Sequence, residues 1–363
     1  MSESLTKENF AALTGFRAIA AYLVYLNHFA FFNPTFFSNF WFGYCYELYF
    51  GVTLFFVLSG FLIAYIYFDA KQFNFKNFML KRFSRIYPMY FILTLLSFFY
   101  YSFFEKQSWK VFLLNITFLK SFFKDFFLSG LPTAWSLTVE ESFYILVPIF
   151  FYFIRKSYIF IVAIPVVFFG FGILLVNFFV DFDFYGFFAN NHFMYQFSLF
   201  GRISEFMIGI ALAIFYMRKR NYFKAKYLTY FGLFSIIIGL YFLSLQKGNN
   251  FEGIDSDFGK ILNSVLIPIF GIAPFYYGLI TENTFISKIL SSTFFQILGK
   301  SSYIFYLIHI GFVVTILNSV SKNHFFMFIA LNLIAIILYK YVEKPLNNYF
   351  RNFNISKSPF PEP

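Results

Sequence analysis

The chain has 363 residues, of which 60% are apolar or aromatic and only 12% are charged, where a soluble domain carries roughly 25% charge. That much apolar surface cannot be hidden inside a globule of this length. A disordered chain and an ordinary water-soluble enzyme are therefore excluded, and the bilayer is left as the solvent.

The net charge of +11 would suggest a nucleic-acid partner in a soluble protein. Here it is read as basic residues retained on the cytoplasmic side, with no nucleic acid involved. The single Cys45 excludes an intrachain disulfide and any multi-cysteine metal site. The polar start, followed by an apolar run without a small-residue cleavage pattern, gives no cleavable signal peptide.

A spanning helix needs about 20 mostly apolar residues. Ten runs meet that rule: about 13–32, 46–68, 84–104, 135–153, 159–180, 202–217, 227–245, 259–279, 300–319 and 325–342. They predict an all-α, polytopic transmembrane helical bundle of about ten spans, with 1–345 as the membrane domain and 346–363 as a short cytoplasmic tail. The runs are too long and too little alternating for a closed barrel. With the N-terminus inside, 20 of the 28 Lys and Arg fall in cytoplasmic segments and 8 on the other side, which places both termini in the cytoplasm. The loop 105–134 contains an amphipathic stretch, Trp109 to Phe127, expected to lie along the interface as a helix and lid the outer face. The outer loops 181–201 and 246–258 are rich in Asn, Asp and aromatics, which suit a carbohydrate or any wet interface. No internal repeat is present, which weakens an inverted-repeat transporter.

An ionisable side chain inside a span is a functional candidate by default, because burying it unpaired costs several kcal/mol. In the first run, Arg17 and His28 are 11 residues apart, about 1100° of helix, so both lie on one face about 16 Å apart along the axis. A permanent cation at the cytoplasmic mouth suits a phosphate, and an imidazole deeper in suits proton transfer. The packing alternative is a structural pair or a side chain snorkelling to the interface. In the third run, Arg82 and Arg85 share a face and can clamp phosphates bidentately; the bland alternative is the positive-inside rule itself.

Ser59-Gly60 reads as close helix packing. In the fourth run Ser136, Glu140, Tyr144 and Pro148 fall on one face. Depth arithmetic places Glu140 and His28 at similar levels, which permits a His28–Glu140 pair. Glu141, displaced by about 100°, is the second choice of partner. Arg202 and Glu205, at i and i+3, can satisfy each other, and Glu343-Lys344-Pro345 reads as the end of the last helix. No glycine-rich phosphate loop, nucleophile elbow or metal-ligand cluster appears, and the four histidines are scattered, so no metal is expected.

Taken together these blocks resemble the acyltransferase-3 family of polytopic membrane O-acyltransferases. Leu13-Thr14-Gly15-Phe16-Arg17 followed by His28 is similar to its Arg-x10-His signature, and Gly51 to Phe61 to its second-helix block. Arg82-x-x-Arg85-Ile86-Tyr87-Pro88 resembles its basic motif, and Trp135-Ser136-Leu137-Thr138-Val139-Glu140-Glu141-Ser142-Phe143-Tyr144 its Trp-Ser-Leu block. Arg202-Ile203-Ser204-Glu205-Phe206-x-x-Gly209, Ser302 to His309, and Val342-Glu343-Lys344-Pro345 follow in the family's order. Thr53 stands where many members carry an acidic residue, and Ile310 where proline is common.

The resemblance implies transfer of an acyl group, most often acetyl, from cytoplasmic acyl-CoA to a hydroxyl of an extracytoplasmic glycan, in a bacterial inner membrane. It implies Arg17, Arg82 and Arg85 as acyl-CoA ligands, and His28 as general base or acyl carrier, oriented by Glu140. Trp135, Ser136, Tyr144, Arg202, Glu205 and His309 would position substrate. The runners-up are a proton-coupled transporter with a His28, Glu140 and His309 relay, and a scaffold whose polar pairs only fix helix contacts.

Overall fold

The computed structural model describes residues 10–29, 44–70, 73–105, 108–182, 184–219, 226–246 and 253–355. Residues 356–363 of the expected tail 346–363, the segment 220–225 and part of the outer loop 246–258 lie outside these residues. Among the described residues no strand forms, and a single isolated bridge joins Phe123 to Phe187. The expected all-α architecture is the one observed.

The helices run in chain order as α1 (Ala11–His28), α2 (Gly51–Tyr67), α3 (Phe75–Glu105), α4 (Trp109–Ile116), α5 (Trp135–Lys156), α6 (Phe160–Phe179), α7 (Asn191–Phe197) and α8 (Leu199–Lys219). Then follow α9 (Leu228–Leu245), α10 (Asp257–Ile261), α11 (Ala273–Thr281), α12 (Phe285–Ser291), α13 (Thr293–Ile308), α14 (Phe312–Val320), α15 (His324–Leu338) and α16 (Lys344–Ile355). Wide π-turns, Leu262–Leu266 and Pro268–Ile272, join α10 to α11 as one continuous span. Among the described residues eight helical stretches are long and apolar enough to cross a membrane, and the α13–α14 pair makes a ninth if it counts as one span.

Three departures from the sequence reading bear on the site. The first helix ends at His28 instead of continuing to 32, and is 18 residues long. Arg17, Asn27 and His28 take α1 out of the set of helices apolar enough to cross unaided, so the count is eight or nine instead of ten. The run 300–319 is not one straight span: α13 and α14 meet at 90°. The bend falls at His309 to Gly311, where Gly311 has φ +96°, a conformation that a residue with a Cβ rarely adopts. Pro345, read as a stop signal, instead sits second in α16 after a π-turn, Tyr339–Glu343. The helix runs on through it, and the π-turn before it accommodates the helical hydrogen bond that proline cannot make.

Close approach of helices fixes the centre of the bundle. A Cβ on Gly60 would stand 2.2 Å from the backbone oxygen of Phe206, and one on Gly209 would stand 2.1 Å from that of Val57. α2 and α8 therefore touch backbone to backbone, the packing that Ser59-Gly60 predicts. In the 108–134 loop, the expected helix Trp109–Phe127 shortens to Trp109–Ile116, followed by a 3-10 turn at Lys120–Phe122. The buried Asn115 amide donates to Val111 O and Ser129 Oγ and folds the chain back.

Candidate functional site

α5 and α13 line two cavities, one after the other along their length, each mostly apolar with a few polar groups. The first, about 210 Å³, is lined by His28, Asn27, Thr133, Trp135, Gln196, Arg202, Tyr306 and Ile310, with Phe127 and Phe197 among its apolar walls. It is smaller than the roughly 300–1,000 Å³ of pockets that engulf whole ligands, so it suits the reacting end of one. His28 is the last residue of α1 and is exposed, its ring 5.6 Å centre to centre from that of His309. Trp135 opens α5 and stands edge-on to Phe197 at 4.9 Å. Both the 108–134 loop, through Phe127 and Leu128, and α7, through Gln196 and Phe197, reach this cavity.

Arg202 forms part of the wall from behind. Its guanidinium lies 3.2 Å from Glu205 Oε1, with the two side chains 2% and 0% exposed. Phe56 carries the guanidinium on its ring face at 5.4 Å. Thr53 Oγ1 accepts from Arg202 and from Asn263 Nδ2, and donates to Glu205. Ser264 Oγ donates to Glu205 at 3.0 Å. A charge pair this deep holds only where hydrogen bonds satisfy the remaining groups, and this cage supplies several of them.

The second cavity, about 70 Å³, is lined by Arg82, Arg85, Ile86, Leu137, Glu140, Tyr144 and Tyr303. Tyr144 donates to Glu140 Oε2 at 3.0 Å, and its hydroxyl meets Ser59 Oγ at 3.0 Å. Arg82 lies over the rings of Phe78 and Tyr144. Arg17 and Arg85 are within electrostatic reach of Glu140 and Glu343, and Arg82 of Glu141. The cations are thus met by acids from α5 and from the π-turn before α16.

Between the cavities stands one turn of α13. Tyr303 borders the arginine side and Tyr306 the histidine side, about 4.5 Å apart along the axis. The Tyr306 hydroxyl reaches Ser136 Oγ at 3.0 Å and Thr133 O at 3.2 Å. Ser136, expected to position substrate, is therefore part of the partition, with Trp135 on one side of it and Tyr144 on the other.

The structure brings together Arg17, Arg82, Arg85, Glu140 and Tyr144 at one end, and His28, Trp135, Arg202 and His309 at the other. It does not form the His28–Glu140 pair that helix depths permitted. His28 ends its helix at the level where α5 begins, whereas Glu140 lies five residues beyond Trp135, about 7.5 Å further along α5. Counted from Arg17 at a cytoplasmic boundary, His28 falls level with Glu140, whereas in the structure it lines the cavity beside Trp135. His28 meets His309 instead.

Two residues of these sites were missed. Glu343 was read as a helix cap, yet its carboxylate belongs to the arginine cluster. Lys120, one of the eight basic residues on the outer side, is fully buried, its ammonium donating to the carbonyls of Ser129 (2.8 Å) and Leu131. That ties down the segment leading into Leu131, Pro132 and Thr133 at the cavity rim. The signal was a lone lysine between Leu119 and Phe122-Phe123 in an aromatic loop.

Burial pushes the Lys120 amine down to about 7 from an ordinary 10.5. Because the folded value is the lower one, the unfolded chain binds the extra proton between the two, and stability rises with pH across that window. A neutral amine still has two N–H groups for the two carbonyls. The melting-temperature advantage of the natural protein over Lys120→Met is therefore expected to widen between about pH 6 and about pH 9. A pH-independent difference would show that the buried amine stays charged, titrating in the fold as it does in the unfolded chain.

Comparison with known proteins supplies the rest. The profile of the acyltransferase-3 family, described as an acyltransferase domain, matches residues 10–340. The chain belongs to this family. It is 32% identical over 125 residues to the peptidoglycan O-acetyltransferase OatA of Listeria monocytogenes, covering 28% of this chain and 19% of that protein. A provisionally named O-acetyltransferase of Staphylococcus aureus is 26% identical over 341 residues, covering 81% of this chain and 52% of the relative. An uncharacterized Haemophilus influenzae protein is 32% identical over 186 residues, 45% of this chain and 74% of that one. The chain spans about half the length, or less, of the O-acetyltransferases it matches. No solved structure matches.

Thr53 and Ile310, the two residues that the resemblance marks as unusual, lie at the His28 end. Thr53 is the hydroxyl at the hub of the Arg202–Glu205 cage, where a second carboxylate would repel Glu205. Ile310 lines the cavity.

Proposed function

We propose that the chain is a membrane O-acyltransferase, moving an acyl group, acetyl first among them, from acyl-CoA at the arginine end to a glycan hydroxyl at the His28 end. In this reading it sits multi-pass in a bacterial cytoplasmic membrane with the arginine end toward the cytoplasm. The acceptor is a polysaccharide or oligosaccharide of the cell surface. The observation that carries the proposal is the pair of cavities on α5 and α13, one cationic and one bearing an imidazole, separated by one helical turn. The names of the matched relatives support the O-acetyl chemistry.

Arg17, Arg82 and Arg85 serve the phosphates of the donor. A 70 Å³ cavity holds about two waters, so the nucleotide rests outside it and only the narrow thioester arm passes inward. At the other end Trp135, Phe127 and Phe197 offer ring faces, while Asn27, Gln196 and Thr133 offer hydrogen-bonding groups, the mixture a sugar ring requires. His28 takes the proton of the acceptor hydroxyl as general base; an acyl-imidazole on His28 is the covalent version. A transporter relay through His28, Glu140 and His309 is less well supported, because Glu140 stands in the other cavity.

The test is transfer by reconstituted protein from labelled acetyl-CoA to a surface glycan. Label on the glycan supports the enzyme, whereas solute flux without transfer overturns it. Arg82→Gln and Arg85→Gln are each expected to raise KM for acetyl-CoA about tenfold, the equivalent of 1.4 kcal/mol, with kcat little changed. An unchanged KM would remove these arginines from donor binding.

A further inference from the structure

His309 is completely buried at the elbow between α13 and α14, its ring stacked on Phe305 at 6.1 Å with a 7° tilt. Its Nδ1 lies 2.8 Å from the carbonyl oxygen of Tyr306. A carbonyl oxygen can only accept, so Nδ1 carries the hydrogen and Nε2 of the neutral ring is a bare lone pair. That Nε2 is buried with no hydrogen-bond partner among the described residues. Buried acceptors are rarely left so.

The neighbouring ring is that of His28, 5.6 Å away centre to centre and tilted by 35°. Two imidazoles joined edge to edge by an N–H···N bond stand about 5 Å apart between centres, within a small side-chain rotation of this arrangement. We propose that His309 is the positioning residue of His28: its locked tautomer presents Nε2 as the acceptor for an N–H of His28. That N–H···N bond leaves the other nitrogen of His28 bare and turned to the acceptor hydroxyl. The inference rests on the acyl-transfer reading for its consequence, and replaces Glu140 by His309 in the orienting role.

The balance is simple. The acceptor O–H proton passes to the bare nitrogen of His28 as the oxygen bonds to the acyl carbon. The C–S bond breaks, and the sulfur leaves with its electron pair. The imidazolium returns the proton to the thiolate, giving ester and free thiol. His309 takes no proton; it stabilises the imidazolium through the shared N–H and stays neutral.

Two substitutions separate positioning from packing. His309→Phe keeps the ring stacked on Phe305 but offers no acceptor, whereas His309→Gln loses the ring and returns an oxygen near the position of Nε2. Positioning predicts a kcat about 100-fold down in His309→Phe, with KM for acetyl-CoA unchanged, and partial recovery in His309→Gln. The reverse order, Phe better than Gln, overturns the proposal.

Nitrogen-15 NMR of the histidines in nanodisc-held protein reads the same pair without turnover. The natural protein is expected to show one protonated nitrogen on His28 in a hydrogen bond, lost in His309→Phe. Unaltered His28 signals in that variant would refute the pairing. A natural protein inactive with every acyl-CoA tried would fail the enzyme reading alone, since the NMR result still decides the pair.

Discussion

Replacing His28 by alanine is expected to lower acyl transfer about 1,000-fold, in the middle of the 100- to 10,000-fold range typical of a positioned general base. The protein should still fold in the membrane. His28 is exposed to its cavity and ends its helix, and among the described residues its side chain makes no ion pair with another element. Little packing is therefore lost with the ring. The measurements are initial rate with saturating acetyl-CoA and melting temperature in detergent. A variant within tenfold of natural activity would take His28 out of the chemistry, whereas a collapsed melting temperature would make it a structural residue. If the acyl group rides on His28, the variant should also lose any label trapped on the protein when acceptor is withheld.

The Arg202–Glu205 pair carries the other large expectation. Arg202→Met alone strands a carboxylate that is completely buried, and breaking a buried pair from one side costs about 3–5 kcal/mol. Adding Glu205→Leu should recover most of that loss, because an apolar pair of similar volume is often neutral or better than a buried ion pair. Activity should part company with stability here. Arg202 borders the His28 cavity, and Met at that position presents no donor to the reacting carbonyl or sugar. The double variant is thus expected to melt near the natural temperature while transferring at a small fraction of the natural rate. Recovered activity would make the pair purely architectural; a double variant no more stable than the single would mean Thr53 and Ser264 require the carboxylate.

The composition and the blocks of motif sequence determined a great deal without coordinates. An apolar chain with few charges has to place those charges deliberately, so Arg17, Arg82, Arg85, Glu140, Arg202 and Glu205 were legible as candidates from position alone. Helical periodicity placed Ser136, Glu140 and Tyr144 on one face, and Arg202 beside Glu205; both hold in the structure. Ser59-Gly60 marked a close helix crossing and is one.

What sequence arithmetic could not decide is which faces meet. An error of one turn in where a helix ends moves a side chain by about 5 Å, more than the reach of a hydrogen bond. His28 lands beside Trp135, and Glu140 lies in the other cavity. The 90° elbow at Gly311 was equally hidden, since an apolar run reads the same whether straight or bent. That elbow brings His309 to His28, and the π-turn before α16 places Glu343 with the arginines. Lys120 likewise became a buried tie only when the loop folded around it. The sequence by itself determined the solvent, the family and the candidate side chains; the tertiary structure divided those candidates between two cavities. The physical reason is that burial in lipid selects residue types one position at a time, whereas pairing depends on where several helices stop and bend together.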